Sequence, residues 1–403
     1  MIDFPYLSNI CRTTSSKIIM VVVDGLGGMR HPKYGMSELE AAKIPALDTL
    51  ASGSSCGVTI PVLPGITPGS GPGHMALFGY NPVKYLLGRG VLEGMGIGAN
   101  IGPSDVAARG NFCRIDSEGK IIDRRAGRLD SSECKRLVEL LNRIELDKVE
   151  FEVYPVMDYR FVLVLRGEGI SPNITETDPQ VEGELPNKSE PLPGLPNMTA
   201  NAINEFTQKA TGVLKGAGSE ANGVLLRGFS GLPSIPQFGA SYGLTPAAIA
   251  AYPMYRGLAQ LVGMDVISCE STFESELRVL KANYVGKFDY FFIHYKLADS
   301  AGEDGDFEMK IKKLEEFDAH LECITALDPE VLVVCGDHAT PSYTSSHSWH
   351  PVPFLIKSQY SEGAAGASFS EIPCRLGSVG SINAEQLMLS VLAHAGKLNK
   401  FGP

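Results

Sequence analysis

The segment around Ser70 is the first place in this sequence where residue types and spacing suggest chemistry. Ser70 lies within Thr-Pro-Gly-Ser-Gly-Pro-Gly-His, residues 67–74, and a helix-like run follows it. Glycines let a backbone adopt positive φ and approach another group closely, and prolines fix the turn. A serine at a helix N-terminus is presented where free N–H groups favour anions. The pattern suits a nucleophile that accepts a phosphoryl group, although a plain Gly/Pro turn before a helix would use the same residues.

Acidic residues and histidines recur in Gly-rich turns and after apolar runs, where they offer metal ligands. Asp337 and His338 are adjacent, so one turn presents an oxygen and a nitrogen ligand. Asp299 and Glu303 are four residues apart and would share one face of a helix. The remaining candidates are Asp24 and His347, with His350 close by. Carboxylates with imidazoles suit Mn²⁺ or Zn²⁺, and two adjacent cations would hold a phosphoryl group and lower the pKa of the serine.

Each of these residues also has a purely structural interpretation. Asp24 could begin a turn, and Asp337 could cap a helix. His347 and His350 could be ordinary surface residues. However, five of the eight histidines fall in or beside the same few motifs, namely His74, His294, His338, His347 and His350. This clustering favours a metal site over separate structural roles.

Three apolar runs are typical of strands that are buried on both faces of a parallel sheet. They cover residues 17–24, 290–295 and 331–335, and polar residues follow directly. Ligands of open α/β sheets bind beyond the carboxyl ends of the strands, so these strands should deliver acids and a histidine to one edge. Between 306 and 327, apolar residues at spacings of three and four predict an amphipathic helix.

The middle of the chain differs in character and indicates an inserted domain. The patterns predict a helix over 134–144, a hairpin of strands over 149–154 and 160–165, a proline-rich loop over 171–198, a helix over 199–213, a strand over 224–227 and a helix over 244–262. We therefore expect a smaller α+β domain, residues 104–235, inserted into a larger α/β domain formed by residues 1–103 and 236–403.

Composition narrows the class of partner. The net charge of −11 argues against nucleic acid or an anionic membrane as the main partner. The sequence has neither an apolar run long enough to span a membrane nor a recognisable signal peptide. Its eight cysteines are scattered, without a CxxC pair, as in reduced cytoplasmic proteins. We expect a cytoplasmic protein that acts on a small molecule, with arginines concentrated wherever an anionic substrate binds.

Five motifs occur together, and their order carries a resemblance. They are Val-Val-Val-Asp24-Gly, Thr-Pro-Gly-Ser70-Gly-Pro-Gly-His, Asp299-x-x-x-Glu303-Asp-Gly-Asp, Gly-Asp337-His338 and His347-Ser-x-x-Pro-Val-Pro. The chain resembles the archaeal-type, 2,3-bisphosphoglycerate-independent phosphoglycerate mutases of the alkaline phosphatase superfamily along nearly its whole length. The resemblance implies an alkaline-phosphatase-like α/β domain, with a mostly parallel sheet covered by helices, that carries an inserted substrate-binding or lid domain.

The resemblance also implies two divalent metal ions and no 2,3-bisphosphoglycerate. By motif, one ion would be held by Asp24, Ser70, Asp337 and His338, and the other by Asp299, His347 and the residue at position 303. That last residue is usually histidine in the family pattern, whereas this chain has Glu303. Because carboxylate oxygens are harder ligands, we expect a preference for Mn²⁺ or Mg²⁺ over Zn²⁺ or Co²⁺.

The mechanism that the resemblance implies interconverts 3-phosphoglycerate and 2-phosphoglycerate in glycolysis and gluconeogenesis. Ser70 would take the phosphoryl group, and the retained glycerate would take it back on its other hydroxyl. A substrate with a carboxylate and a phosphate calls for guanidinium forks. The candidate substrate-binding residues are Arg109, Asn111, Arg124, Arg128, Arg160, Arg227 and Arg256.

Three other functions compete with the mutase interpretation. A related metal-dependent phosphotransferase acting on homoserine is one, and the Glu303 departure keeps it open. A plain phosphatase is the second, since the superfamily includes hydrolases. The third is a metal-binding regulatory protein without activity, which would leave Ser70 dispensable.

Overall fold

The computed structural model describes residues 1–127, 129–363 and 368–402, which divide into two compact units. The first unit consists of residues 1–86, 235–252 and 262–403, and the second of residues 87–234 and 253–261. The second unit therefore begins earlier than the predicted insert and includes a short returning segment. The predicted substrate residue Arg128 lies outside the described residues.

The described part of the chain forms thirteen strands and fourteen α-helices. The strands are β1 (Ile18–Val23), β2 (Ser55–Ile60), β3 (Val106–Ile115), β4 (Ile121–Asp123), β5 (Glu150–Met157), β6 (Arg160–Arg166), β7 (Gly223–Ser230), β8 (Pro246–Ile249), β9 (Asp265–Val266), β10 (Tyr290–Tyr295), β11 (Val331–Cys335), β12 (Val352–Lys357) and β13 (Gly380–Asn383). The helices are α1 (Leu7–Ile10), α2 (Glu38–Ala41), α3 (Pro45–Ser52), α4 (Ser70–Leu77), α5 (Arg89–Gly96), α6 (Ser131–Leu141), α7 (Met198–Lys215), α8 (Phe238–Tyr242), α9 (Pro253–Leu261), α10 (Phe273–Tyr284), α11 (Leu297–Glu303), α12 (Phe307–Thr325), α13 (Glu371–Arg375) and α14 (Leu387–His394).

The first unit is built on an eight-stranded sheet in the order β13-β2-β12-β11-β1-β10-β8-β9. Only β12 among these strands runs antiparallel to its neighbours, β11 and β2. Ile18 in β1 lies opposite Tyr290 in β10 and opposite Val331 in β11, so the three strands predicted from apolar runs are adjacent and parallel. Their carboxyl ends therefore meet at one edge, as expected.

Helices cover both faces of this sheet. Along β10, Phe291 and Ile293 pack into a core with α10 and α12, and Phe292, on the other face, contacts Phe78 beyond α4. Burial on both faces explains why the strands are continuous apolar runs rather than alternating ones. The predicted α/β fold class, with a mostly parallel sheet covered by helices, is confirmed. No helix in the described part of the chain has the length and apolarity that crossing a membrane requires.

The second unit contains a separate antiparallel sheet. The strand order in this sheet is β4-β3-β6-β5. Strand β7 also pairs with β3, on the edge opposite β6. Helices α6 and α7 share its core with residues of β5, β6 and β7. The predicted hairpin is β5 and β6, which pair antiparallel, and the proline-rich stretch between β6 and α7 contains turns and bends rather than helices or strands.

Helices α5 and α9 explain why the second unit includes two segments beyond the predicted insert. They pack so closely that a Cβ atom at Gly96 would lie 1.9 Å from the Pro253 carbonyl oxygen. Likewise, a Cβ atom at Gly257 would lie 2.4 Å from the Leu92 carbonyl oxygen. Glycine is what permits this backbone approach, and it joins the segment 253–261 to the second unit.

The helix predicted over 244–262 is wrong in its first half. Residues Pro246–Ile249 form β8, which is completely buried and pairs in parallel with β10. Only Pro253–Leu261 is helical, as α9. Helix propensity of the alanines is a weak preference, and pairing with a buried neighbouring strand overrides it. The helix predicted over 306–327 is confirmed as α12, with the Asp306 side chain accepting a hydrogen bond from Met309 N at its start.

Candidate active site

Ser70 is the first residue of α4 and lies beside the end of β11. A Cβ atom at Gly73, one turn further along α4, would lie 2.4 Å from the Asp337 carbonyl oxygen. The glycine therefore lets the start of α4 approach the backbone that carries Asp337. As a result, Ser70 Oγ lies 3.1 Å from His338 Nε2. Gly73 is therefore part of the first turn of α4, rather than of a turn before the helix, and its lack of a side chain has a packing reason.

The first group of potential metal ligands consists of Asp24, Asp337 and His338. One ligand atom from each lies within 4.8 Å of the others, and all three residues are buried. Asp24 directly follows β1, and the other two follow the adjacent strand β11. His338 Nε2 is 3.0 Å from Asp337 Oδ2 and 3.4 Å from Asp24 Oδ1. Ser70 Oγ contacts the same imidazole nitrogen, so the predicted first ligand set is together in space.

The second group consists of Asp299, His338 and His347. Asp299 lies on α11, and His347 Nε2 is 3.7 Å from its Oδ1. The rings of His338 and His347 stack with centroids 3.6 Å apart. Glu303 lies at the rim, with its side chain 53% exposed and its Oε1 3.5 Å from His347 Nε2. The residues predicted for the second ion are therefore neighbours, and His338 stands between the two groups.

Charge in this centre is strongly unbalanced. Lys296 Nζ lies 3.1 Å from Asp24 Oδ2 and 2.6 Å from Asp299 Oδ2. Burial alone would lower the pKa of Lys296, but the carboxylates of Asp24 and Asp299 raise it. Burial also acts against the ionised form of Asp337, yet the contacts with His338 and His74 hold its pKa well below its usual range. Three buried carboxylates thus share one lysine.

These residues fit a divalent cation. Asp337 Oδ2 accepts no well-oriented hydrogen bond from the described residues, although two histidine nitrogens lie 3.0 and 3.2 Å away. Burying a carboxylate oxygen without a hydrogen bond costs free energy unless a cation or a donor binds it. The set of carboxylate oxygens and imidazole nitrogens is also the type that binds Mn²⁺ or Zn²⁺.

Three further side chains orient the candidate ligands. His294 Nε2 lies 3.1 Å from Asp24 Oδ2, and burial lowers the pKa of His294 to about 4. His74 Nδ1 lies 2.9 Å from the Ser70 carbonyl oxygen and 3.2 Å from Asp337 Oδ2. Thr340 Oγ1 donates to Asp299 Oδ1 over 2.6 Å. Such outer contacts hold ligands in place and tune their basicity.

Sequence reasoning missed Lys296 and Thr340. Lys296 directly follows the buried strand β10, the same position relative to a strand that singled out Asp24 after β1. That signal could have identified it. Thr340 follows His338 by two residues and carries no pattern of its own. By contrast, the predicted neighbour His350 belongs to neither ligand group; its Nδ1 lies 3.0 Å from Ser348 Oγ.

In the second unit, strand register places four of the predicted substrate residues on one face of the antiparallel sheet. Arg109 on β3 lies opposite Arg227 on β7, and Asn111 on β3 lies opposite Arg160 on β6. Residues two apart on a strand, and residues directly opposite one another, point to the same face. The Nε atoms of Arg109, Arg160 and Arg227 and Asn111 Oδ1 are buried and have no hydrogen-bond partner among the described residues.

The guanidinium groups on this face repel one another. Burial, together with the charges of Arg89, Arg227 and Arg160, lowers the pKa of Arg109 to about 10, although Glu93 opposes the shift. Glu93 Oε1 lies 3.3 Å from Arg109 Nη1. Arg89, on α5, was not among the predicted substrate residues. Crowded cations with unsatisfied donors form a surface on which an anion would be stabilised.

Two further predicted arginines among the described residues, Arg124 and Arg256, have protein partners. Arg124 makes a two-pronged contact with Asp178, with Nε–Oδ1 and Nη2–Oδ2 distances of 3.1 and 2.6 Å. Arg256 Nη2 donates to the Gly96 carbonyl oxygen over 3.1 Å. The structure therefore separates the predicted arginines into a face shared by Arg109, Arg160 and Arg227 and two that lie elsewhere.

Comparisons with known proteins show several relatives. The family model described as 2,3-bisphosphoglycerate-independent phosphoglycerate mutase matches residues 51–218. A probable 2,3-bisphosphoglycerate-independent phosphoglycerate mutase of Thermus thermophilus is 46% identical over 404 residues, covering 99% of each chain. A protein of the same description from Thermotoga maritima is 46% identical over 400 residues, covering 98% of each.

Solved structures agree with this relationship. A Pyrococcus horikoshii protein is 25% identical, with a TM-score of 0.81, and the match covers 97% of this chain and 100% of that one. The cofactor-independent phosphoglycerate mutase of Thermoplasma acidophilum is 26% identical, with a TM-score of 0.69, and the match covers 94% of this chain and 100% of that one. The 46% identity to the Thermus thermophilus protein, over 99% of each chain, shows that this chain belongs to the 2,3-bisphosphoglycerate-independent phosphoglycerate mutase family.

Proposed function

We propose that this chain interconverts 3-phosphoglycerate and 2-phosphoglycerate through a phosphoserine formed on Ser70. The observation that carries the proposal is the position of Ser70 Oγ, 3.1 Å from His338 Nε2 and beside the buried carboxylates of the first ligand group. A serine next to such a group is suited to accept and return a phosphoryl group. Family membership supplies the substrate class.

The reaction balances within the enzyme and its substrate. Ser70 Oγ loses its proton and bonds to phosphorus, while the bond between phosphorus and the 3-oxygen of the substrate breaks and that oxygen gains a proton. The 2-hydroxyl of the retained glycerate then loses its proton as its oxygen bonds to the same phosphorus, the bond between phosphorus and the Ser70 oxygen breaks, and that oxygen takes up a proton. Water must be excluded between the two transfers, since hydrolysis of the phosphoserine would release inorganic phosphate.

We infer that two divalent cations support this reaction. Asp24, Ser70, Asp337 and His338 would hold one, and Asp299, Glu303 and His347 the other, with Mn²⁺ or Mg²⁺ favoured by the carboxylate at position 303. When bound, the cations would stabilise the negative charge of the serine oxygen and of the phosphoryl group. The buried carboxylate excess and the unsatisfied Asp337 Oδ2 support this assignment.

We assign recognition of the substrate anion to the second unit, on the face formed by Arg109, Asn111, Arg160 and Arg227. The unsatisfied Nε–H groups of Arg109, Arg160 and Arg227 are donors that an oxygen of a carboxylate or phosphate could accept from. Arg89 adds a further positive charge. Arg124 is already paired with Asp178, so the common face is the better-supported recognition surface.

The test is the formation of 2-phosphoglycerate from 3-phosphoglycerate in the presence of Mn²⁺, together with mass spectrometry of the quenched enzyme. We expect phosphate on the peptide that contains Ser70. Ser70→Ala should lower the mutase rate by at least about 1000-fold, because the covalent route is lost. Inorganic phosphate in excess of 2-phosphoglycerate would identify a phosphatase instead, and phosphorylation of homoserine alone would identify a different phosphotransferase.

A further inference from the structure

Lys310 is a completely buried lysine that belongs to neither ligand group. It lies in the first turn of α12, and its relative exposure is 0%. Burying an ammonium group is costly unless its hydrogen atoms find acceptors. Lys310 Nζ donates to the carbonyl oxygens of Gly27 and Thr340, over 3.0 and 2.7 Å. Its hydrogen-bond acceptors are therefore backbone oxygens. The two chain segments that carry these oxygens suggest the structural role of Lys310.

The two carbonyls belong to the two segments that carry the first ligand group. Gly27 follows Asp24 by three residues, and Thr340 follows Asp337 by three. The Gly27 carbonyl oxygen also accepts Thr340 N over 3.0 Å. The ammonium group therefore joins the segment after β1 to the segment after β11, three residues beyond the candidate metal ligands Asp24 and Asp337.

A second constraint fixes the Thr340 backbone. A Cβ atom at Gly302, on α11, would lie 2.4 Å from the Thr340 carbonyl oxygen. The carbonyl is thus held between the glycine surface of α11 and the lysine of α12. Because this backbone group has little freedom, the direction of the Thr340 side chain is also constrained.

The Thr340 hydroxyl determines which nitrogen of His338 carries the proton. It donates its single hydrogen to Asp299 Oδ1 over 2.6 Å, so it can only accept from His338 Nδ1, which lies 3.0 Å away. His338 Nδ1 therefore carries a proton, so Nε2 is the ring nitrogen that can give its lone pair to a cation. Nε2 is the atom that faces Ser70, Asp24 and Asp337. A histidine ligates a metal through its unprotonated nitrogen, so this hydrogen bond prepares His338 as a ligand.

Glu38 provides the opposite charge for Lys310. Its Oε2 lies 4.0 Å from Lys310 Nζ, and its Oε1 accepts the backbone N–H of Ser342 over 2.8 Å. Ser342 follows Thr340 by two residues, so both members of the buried pair contact the same segment. The buried ion pair therefore contacts the segment 337–342 through both of its members.

We propose that Lys310 is a positioning residue of the metal centre. By holding the Thr340 carbonyl it directs the Thr340 hydroxyl, and that hydroxyl keeps His338 in the tautomer whose Nε2 can bind a divalent cation. The proposal rests on the proposed metal-dependent function. It assigns no contact with substrate to Lys310.

The chain offers a matched control in Lys397. This lysine is also completely buried, and its Nζ donates to the Thr14 carbonyl oxygen and to Asp289 Oδ2, each over 2.9 Å. Thr14 and Asp289 precede β1 and β10, at the opposite edge of the sheet. Lys397→Met therefore removes a comparable buried ammonium group at a distance from the ligands.

The experiment compares Lys310→Met, Thr340→Val and Lys397→Met by Mn²⁺ calorimetry and by ¹⁵N NMR of the His338 ring in metal-free protein. We expect Lys310→Met and Thr340→Val to weaken Mn²⁺ binding about 10- to 100-fold and to populate the other His338 tautomer. Thr340→Ser should restore both properties, because it keeps the hydroxyl. Lys397→Met should lower the thermal midpoint while leaving Mn²⁺ affinity and the His338 tautomer unchanged.

Wild-type Mn²⁺ affinity and tautomer in folded Lys310→Met would overturn the proposal. If the single variant does not fold, the pair Lys310→Met with Glu38→Gln removes both buried charges and takes its place. A failure of the proposed function has a different signature: wild-type protein would lack mutase activity, while the His338 tautomer would still respond to Thr340→Val. A tautomer that ignores both Lys310→Met and Thr340→Val would contradict the positioning role whatever the activity.

Discussion

Glu303 occupies the position at which the resemblance to the mutase family implies a histidine ligand. Its Oε1 approaches His347 Nε2 to 3.5 Å from the exposed rim of the second ligand group. Burial alone would lower the pKa of His347. The contacts with the Glu303 carboxylate and the Pro68 carbonyl oxygen outweigh burial and raise this pKa to about 9. A carboxylate oxygen at this rim is a harder ligand than an imidazole nitrogen would be.

Replacing Glu303 with histidine should change which ion supports activity. We expect Glu303→His to raise affinity and activity with Zn²⁺ and Co²⁺ relative to Mn²⁺ and Mg²⁺ by about tenfold, the usual scale of a change around a ligand set. Calorimetry and mutase assays across the four ions would measure this. Glu308→His, on an exposed position of the next helix, is the control. An ion preference that stays the same in Glu303→His would show that residue 303 is not a ligand.

At the scale of secondary-structure elements, the active site depends on how closely α4 approaches the end of β11. Gly73 has no room for a Cβ atom, because the Asp337 carbonyl oxygen would be 2.4 Å away. Displacement of α4 by even a few tenths of an ångström would move Ser70 relative to His338. Helix α4 thus sets both the position of the proposed nucleophile and the packing of the segment that carries Asp337 and His338.

Gly73→Ala should therefore reduce activity strongly, although it adds only one methyl group, because that group would displace α4 from Asp337. We expect a fall in kcat of about 100-fold and a loss of roughly 1–3 kcal/mol in the free energy of unfolding, as for overpacked cores. Steady-state kinetics and urea unfolding would measure both. Gly212→Ala is the control, because Gly212 on α7 has nothing within 4 Å of a new Cβ atom. Full activity in Gly73→Ala would mean that α4 can shift without cost.

The antiparallel sheet of the second unit supports a prediction about substrate affinity. Arg160→Lys keeps the positive charge opposite Asn111 but removes the planar pair of N–H donors. We expect KM for 3-phosphoglycerate to rise about tenfold, with a smaller change in kcat, since one charge-assisted hydrogen bond accounts for roughly 1.5–3 kcal/mol. Arg114→Lys is the control, because Arg114 is more exposed and pairs with Glu220. Equal effects of the two substitutions would argue against the common face.

For the molecule as a whole, a buried glutamate links stability to pH. Glu276 on α10 accepts the backbone N–H groups of Ala251 and His294, over 2.8 and 3.2 Å. Burial nevertheless raises its pKa from 4.5 to about 8. Because the folded state holds this proton more tightly than the unfolded state, the contribution of Glu276 to stability is complete below the unfolded pKa and is lost as pH rises towards 8.

Glu276→Gln should flatten the pH dependence of the first unit. Between pH 5 and pH 8, we expect the free energy of unfolding of the variant to fall less than that of the wild type, because glutamine does not titrate. This pH range lies between the unfolded pKa of Glu276 and its raised pKa in the folded protein. Urea unfolding followed by the fluorescence of Trp349, the single tryptophan, would report on this unit. The same slope in both proteins would show that Glu276 stays ionised throughout.

Much of this architecture could be predicted because it depends on local patterns. The buried strands β1, β10 and β11 are continuous apolar runs, and α12 repeats apolar residues at helical spacing. Asp24 and Asp337 could be placed near one another, since carboxyl ends of parallel strands share an edge. Strand β8 could not be predicted, because its four residues have little strand character of their own. They form a strand because they pair with β10, which lies more than forty positions away in the sequence.

The supporting residues of the site escaped prediction for a related reason. Lys310 is one lysine within a helix that contains several, and only the fold brings it to the carbonyls of Gly27 and Thr340. Thr340 acquires its role from the geometry between Asp299 and His338. Ligand types can be read from motifs, whereas the groups that orient them are defined by contacts between distant segments.

The joint packing of α5 and α9 has a consequence for how this enzyme can be recombined with its relatives. The second unit is made from two separate stretches of the gene, residues 87–234 and 253–261, because paired glycines bring the two helices into backbone contact. A chimera that exchanges only the longer stretch would pair a foreign α5 with the native α9. A module exchanged between this chain and a relative should therefore carry both stretches, so that the nine residues of α9 are transferred together with the antiparallel sheet of the second unit.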